Sequence, residues 1–173
     1  FDQKVIKKYP TIFDAKDDYI DLRPEVVAYV VTQLQGFSLL SSPVDVKGVA
    51  YEEIVGSNLR GDRGEFFTPR NACKMAVRML DPMPDEVVLD PSCGTGGFLI
   101  AAMNNAIQYI EESQRSMWVD PANGTDTERN ELYRCRTEYF SHCVFGIDLN
   151  PVLVRAAKMN MVMNNDGEGG LFQ

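Results

Sequence analysis

The chain lacks any apolar run long enough to span a bilayer, and its first residues show no basic, apolar and small-residue pattern of a secretory leader. It is poor in metal ligands: there is one histidine, His142, and the four cysteines, Cys73, Cys93, Cys135 and Cys143, form no C-x-x-C pair. A zinc site is therefore not expected. Scattered free thiols fit a reducing cytosol, so a cytoplasmic location is expected and no membrane partner. Positive charge is also scarce, with 17 Lys and Arg against 25 Asp and Glu and a net charge of −8. That deficit argues against a surface that wraps nucleic acid unaided, because neutralising phosphates needs clustered Lys and Arg. If DNA is a substrate, the basic surface must lie elsewhere or on a partner. The first residue is Phe1 rather than Met, which suggests a cut end.

What is present is a core. Apolar residues make up 45% of the 173, enough for one domain of ordinary size. "PEVVAYVVTQLQ" (24–35) reads as a helix opened by Pro24, with Val26, Val27, Val30, Val31 and Leu34 on one face and Gly36 as its stop. "DVKGVAYEEIVG" (45–56) suggests a second helix, and "NLRGDRGEFFTPR" a loop. Thr68 is placed to cap a helix whose first residue is Pro69, with Ala72, Met75, Ala76, Met79 and Leu80 spaced along one face. "VVLD" (87–90) then reads as a short buried strand, and Gly97 to about Ser113 as a long helix. The stretch 117–130 is turn-rich and polar, an expected exposed insertion. A helix of about ten residues reaching Phe140 is expected next. "CVFGID" is a second strand, Asn150-Pro151 caps a helix through Met163, and "LFQ" opens a third strand. Strands alternating with helices predict an α/β fold with a parallel sheet and its ligand rim at the carboxyl ends of the strands.

Two acids sit at that rim. Asp90 ends the first strand, just before the glycine turn "PSCGTGG", and Asp148 ends the second. The dinucleotide pattern G-x-G-x-x-G fails, since Gly94 and Gly96 fit but Leu99 stands where its last glycine would be. A carboxylate at Asp90 would repel a pyrophosphate and suit a ligand with a cationic amine and no phosphates. S-adenosylmethionine is such a ligand, and Asp148 is placed to accept hydrogen bonds from its ribose. The bland alternatives are that Asp90 caps the turn, that the glycines serve packing, and that Asp148 makes an Asx turn at the next helix. Cys93 reads as a small buried side chain and His142 as structural.

Three segments resemble one family. "GEFFTPR" (64–70) resembles the aromatic-Thr-Pro motif of DNA methyltransferases that methylate amino groups, "VLDPSCGTGGFL" (88–99) their cofactor glycine motif, and "GIDLNP" (146–151) their ribose-binding acid motif. The nearest match is the modification subunit of type I restriction-modification systems, which methylates adenine at N6. "VKGVAYEEIVG" (46–56) resembles the last helix of that subunit's N-terminal helical region. The resemblance implies a SAM-dependent methyltransferase, Rossmann-like parallel sheet, cut off after about three strands and preceded by the end of a helical region: residues 1–62 helical, 63–173 the first half of the methyltransferase domain. It implies that Glu65, Phe66, Phe67, Thr68 and Pro69 line the cofactor pocket, with Thr68 and its helix start meeting the methionine carboxylate. It implies that Asp90, Gly94, Thr95, Gly96, Gly97 and Phe98 hold the amino-acid and sulfonium end, that Asp148 binds the ribose and that Leu149 packs on the adenine. On composition alone, Phe66 and Phe67 read as a plain hydrophobic staple.

The family's catalytic tetrapeptide, Asn or Asp then Pro-Pro then an aromatic, is absent; Asn150-Pro151 runs on into Val152-Leu153. The family's catalytic segment follows the fourth strand, so no catalytic residue is assigned and the fragment should bind the methyl donor without transferring the methyl. The missing neighbour would leave Val87–Leu89 as an unprotected edge, covered by another chain or the N-terminal helices, frayed, or open to self-association. The implied partners are DNA, met mainly through absent regions, and specificity and restriction subunits. The alternatives are a protein-glutamine or RNA-base methyltransferase, a non-catalytic module that binds the cofactor, and, last, a nicotinamide-dependent oxidoreductase.

Overall fold

A computed structural model describes residues 3–13, 18, 20–37, 53, 67–115, 134–135, 138–139, 141–164 and 170–173. Its elements are α1 (Gln3–Lys8), α2 (Pro24–Leu34), α3 (Arg70–Leu80), β1 (Val88–Asp90), α4 (Gly97–Arg115), β2 (Val144–Ile147), α5 (Pro151–Met163) and β3 (Leu171–Phe172). The expected helix over 45–56 and the insertion over 117–130 lie outside the described residues, apart from Glu53, which is helical. Residues 134–135, 138–139 and 141–143 are helical, so the described part of the helix expected before β2 extends three residues past Phe140.

The three strands form one parallel sheet in the order β1-β2-β3. Val88 pairs with Val144, Leu89 with Phe145 and Asp90 with Gly146; on the other side of β2, Gly146 pairs with Leu171 and Ile147 with Phe172. "LFQ" is thus a real third strand, entered through Gly170, whose φ of +75° is open to glycine at little cost. The sheet packs on α4 and α5 through one buried cluster: Leu99, Met103 and Ala106 of α4, Val144 of β2, Val154, Ala157 and Met161 of α5, and Leu171 of β3. Gly146 lets this core close. A Cβ there would stand 2.6 Å from Leu99 Cδ1 and 2.7 Å from Leu171 Cδ2.

Two expectations about α3 are corrected. The helix begins at Arg70, with Pro69 rather than Thr68 in the capping position and no side-chain cap bond. The Pro69 carbonyl instead accepts from the amides of Ala72 and Cys73. The buried face is also not the one the apolar spacing picks out. Cys73 and Val77 are buried, whereas Met75, Met79 and Leu80 are exposed. The reason is what α3 packs on. Cys73 faces the start of α4, where a Cβ on Gly97 would lie 3.4 Å from its Sγ. At its far end, the Asp81 carboxylate accepts from Tyr109 Oη at 2.7 and 2.8 Å and from Asn105 Nδ2 at 3.3 Å, pinning the end of α3 to α4.

Among the described residues β1 pairs only with β2, so its outer edge is open; the strand is not the buried one that its apolar run suggests, since Val87 and Leu89 are exposed. A trough of about 520 Å³ runs along it, lined by Leu80, Val87, Leu89, Asp90, Phe98 and Leu99 among others. No helix among the described residues is long and apolar enough to cross a membrane.

Candidate functional site

Parallel pairing sets the site. Because Asp90 is level with Gly146, the turn after β1 and the turn after β2 emerge side by side. Asp90 Oδ1 accepts from the Ser92 amide at 3.1 Å, folding the chain back at once into the glycine turn. The Cys93 amide then donates to the Ile147 carbonyl at 2.9 Å, and the Gly96 amide closes the turn onto the Cys93 carbonyl at 2.7 Å. Gly94 at φ +54° and Gly96 at +83° sit where a side chain would be strained. Among the described residues a Cβ on Gly94 would meet nothing within 4 Å, so none of them fills the space over that residue.

Asp148 joins the two turns. Its Oδ2 accepts from the Gly94 amide at 3.0 Å and its Oδ1 from the Asn150 amide at 2.8 Å. The second bond is the Asx turn that the sequence left open as an alternative; the first is one that sequence reasoning missed, because no local signal marks it. Next in the chain, Leu149 is 93% exposed. Asn150 Oδ1 accepts from the Val152 amide at 3.0 Å and caps α5 as its Asn-Pro pair predicts.

The two acids act on a common neighbour. Cys93 is buried, and its thiol is pushed up to about 11, first by burial and then by the charges of Asp90 and Asp148. The thiol is therefore neutral, which suits packing and not nucleophilic attack. The rim is a place of negative potential beside a helix start, able to meet a positive group at the carboxylates and a negative one at the α4 amides.

The structure brings together Asp90, Gly94, Thr95, Gly96, Gly97 and Asp148, with Leu149 on the rim. Phe98 turns to the trough beside β1 and is half-buried. Phe67, Thr68 and Pro69 lie at the α3 start, linked to the glycine turn through Cys73, whose Sγ is 3.9 Å from the Thr68 carbonyl and packs on Gly97. Glu65 and Phe66 lie outside the described residues. Sequence reasoning also missed Asn160, a wholly buried amide whose Nδ2 donates to the Thr95 carbonyl at 3.0 Å. The signal was an Asn on the face that carries Leu153, Ala156 and Ala157.

A parallel sheet with a glycine turn after one strand and an acid after the next defines a Rossmann-like α/β domain. A model of the N-6 DNA methylase family matches residues 42–169, well over half of the sequence, and the chain belongs to that family. It is 33% identical over 127 residues to the type I restriction enzyme EcoKI methylase subunit of Escherichia coli K12, covering 72% of this chain and 21% of that one. It is 42% identical over 111 residues to the EcoEI methylase subunit of E. coli, covering 62% and 22%. It is 30% identical over 131 residues to the type II restriction enzyme and methyltransferase RM.BcgI of Heyndrickxia coagulans, covering 75% and 17%. The chain thus spans about a fifth of the length of these curated relatives. Its fold is similar to that of a modification subunit assigned to a type I restriction enzyme of Vibrio vulnificus YJ016, with a TM-score of 0.53 at 24% identity, covering 82% of this chain and 26% of that one.

Proposed function

We propose that these residues are the S-adenosylmethionine-binding part of an adenine-specific N6 DNA methyltransferase, the modification subunit of a type I restriction-modification system. The observation that carries the reading is the pairing of Asp90 and Asp148 at the ends of neighbouring parallel strands, with Asp148 tied to the glycine turn between them. Family membership and relatives that are methylase subunits support it.

The donor set suits the cofactor. Asp90 offers a carboxylate to a cationic amino group, the α3 and α4 starts offer amides to its carboxylate, and the open space over Gly94 admits a ligand close to the backbone. Each Asp148 oxygen already accepts one bond and keeps a second lone pair for a ribose hydroxyl. Leu149 gives an apolar surface to a flat ring. Phe66, Phe67, Thr68 and Pro69, with Glu65, complete the pocket in this reading, and the division at residues 62 and 63 separates it from the helical region. When bound, S-adenosylmethionine supplies an electrophilic methyl on a positive sulfur.

These residues bind and orient; the adenine amine has to be held by other groups. Its lone pair is shared into the ring, so it needs a hydrogen-bonding partner and a stacking ring after the base leaves the duplex. The 173 residues contain no Pro-Pro pair to frame such a site. DNA, a specificity subunit and a restriction subunit are the proposed partners of the whole protein, working in the cytoplasm.

The test uses the parent protein with its partner subunits, duplex DNA and a methyl-labelled donor. Label at adenine N6 is expected, together with Asn-Pro-Pro-Phe in the strands after Gln173. Label on protein glutamine or RNA, or donor binding without any transfer, would contradict the reading.

A further inference from the structure

The α5 face that enters the core carries Leu153, Val154, Ala157 and Met161, and in their midst Asn160, which is 0% exposed. A buried amide without partners is costly, so its presence there asks for a reason. Its Nδ2 donates to the Thr95 carbonyl at 3.0 Å. From the other side, Asn164 Nδ2 donates to Asn160 Oδ1 at 3.2 Å and to its main-chain carbonyl at 2.7 Å. A carbonyl only accepts, so the Asn160 atom facing Thr95 has to be the nitrogen, and Asn164 fixes the oxygen opposite.

The bond matters because of where Thr95 lies. It stands between Gly94 and Gly96, both at positive φ. With no Cβ on Gly96, the Thr95–Gly96 peptide can turn over at lower steric cost than one between two substituted residues. Asn160 holds the carbonyl end of that peptide, while the Cys93 carbonyl holds the Gly96 amide end at 2.7 Å. The Thr95 oxygen is thereby kept in the core, out of the space over Gly94. The amides that open α4 keep their outward aim.

We propose that Asn160, braced by Asn164, is the positioning residue of the cofactor turn, fixing the Thr95–Gly96 peptide in the orientation that accepts S-adenosylmethionine. The identity of the ligand rests on the proposed function; the brace itself does not. Ordering the turn before binding spares the ligand the loss of freedom that a floppy glycine loop would impose.

The test compares three variants of the full chain. Asn160→Leu keeps the side-chain size and removes the donor. Asn164→Ala removes only the brace. Met161→Ala removes equally buried packing from the same helix and no hydrogen bond to the turn. Two readouts are taken: hydrogen exchange of the Gly96 amide, and S-adenosylmethionine affinity by calorimetry. Asn160→Leu is expected to speed Gly96 exchange and weaken binding, each by about tenfold, and Asn164→Ala by about threefold. Met161→Ala is expected to lower Tm while affinity stays within about twofold. Asn160→Leu with exchange and affinity like the wild type would overturn the proposal, as would Met161→Ala weakening binding to the same degree. If Asn160→Leu does not fold, Asn164→Ala decides: unchanged exchange overturns the brace. A wild-type chain that binds no S-adenosylmethionine sinks the proposed function alone, and Gly96 exchange still judges Asn160.

Discussion

Gly94 and Asp148, 54 residues apart in the chain, are joined by a 3.0 Å hydrogen bond from the glycine amide to the carboxylate. The acid that the sequence offers as a ribose acceptor is also the clasp that holds the turn after β1 against the turn after β2. One substitution therefore removes the proposed ligand contact and the geometry around it.

Asp148→Ala is expected to weaken S-adenosylmethionine binding by about 1–3 kcal/mol, the usual cost of leaving a polar group unpaired. The same variant should speed hydrogen exchange at Gly94 and Asn150, whose amides lose the bond to the Asp148 carboxylate. Asp148→Asn keeps the shape and one acceptor, and should fall between. Calorimetry and exchange measured on the same samples separate the two roles.

Gly146→Ala is expected to destabilise the chain by about 1–3 kcal/mol through overpacking, since the methyl would enter the space of Leu99 and Leu171. Gly170→Ala should cost more, because its Cβ would run into the Val144 carbonyl oxygen, which is backbone and cannot step aside. Urea midpoints of the two variants give the order.

Cys93 couples stability to alkaline pH. Its thiol titrates at an ordinary 9.0 when unfolded and at about 11 when folded. Between those values the unfolded chain has lost the proton and the folded chain keeps it. The stabilisation is thus whole below pH 9 and is lost as pH rises toward 11. Tyr139, raised to about 12 by burial first, pulls the same way at higher pH. Denaturant titrations at about pH 8 and about pH 10 should show the fall, and Cys93→Ala should make it shallower. The neutral thiol should also resist alkylation until the chain unfolds.

On α3, Val77→Ala is expected to cost about 1–3 kcal/mol and Leu80→Ala less than about 0.5, although Leu is the more apolar residue. Val77 is buried and Leu80 is 81% exposed. Thermal melts of this chain decide it; a larger loss at Leu80 than at Val77 would mean that the packed face is the one chosen by spacing.

That helix shows what a sequence can carry. The strands, the Asn150 cap, the length of α5 and the two-residue start of β3 were legible, because periodicity and turn residues are local. The side on which α3 packs was not. Spacing identifies the apolar residues, but Gly97 selects the small Cys73 as the contact, and a glycine's vacancy is visible only in three dimensions. The acids at Asp90 and Asp148 were legible as rim residues, since each ends an apolar run before a turn. The clasp from Asp148 to Gly94 and the brace from Asn160 to Thr95 were not, as each depends on a partner more than fifty residues away.

In the proposed reading, the rim between Asp90 and Asp148 takes an amino-acid-bearing sulfonium and refuses a diphosphate. Calorimetric titration of the chain with S-adenosylmethionine and, separately, with NAD distinguishes the two ligands. Saturable binding of the first, weakened by Asp148→Ala, and no heat from the second is the predicted result; NAD binding with no response to S-adenosylmethionine would contradict it.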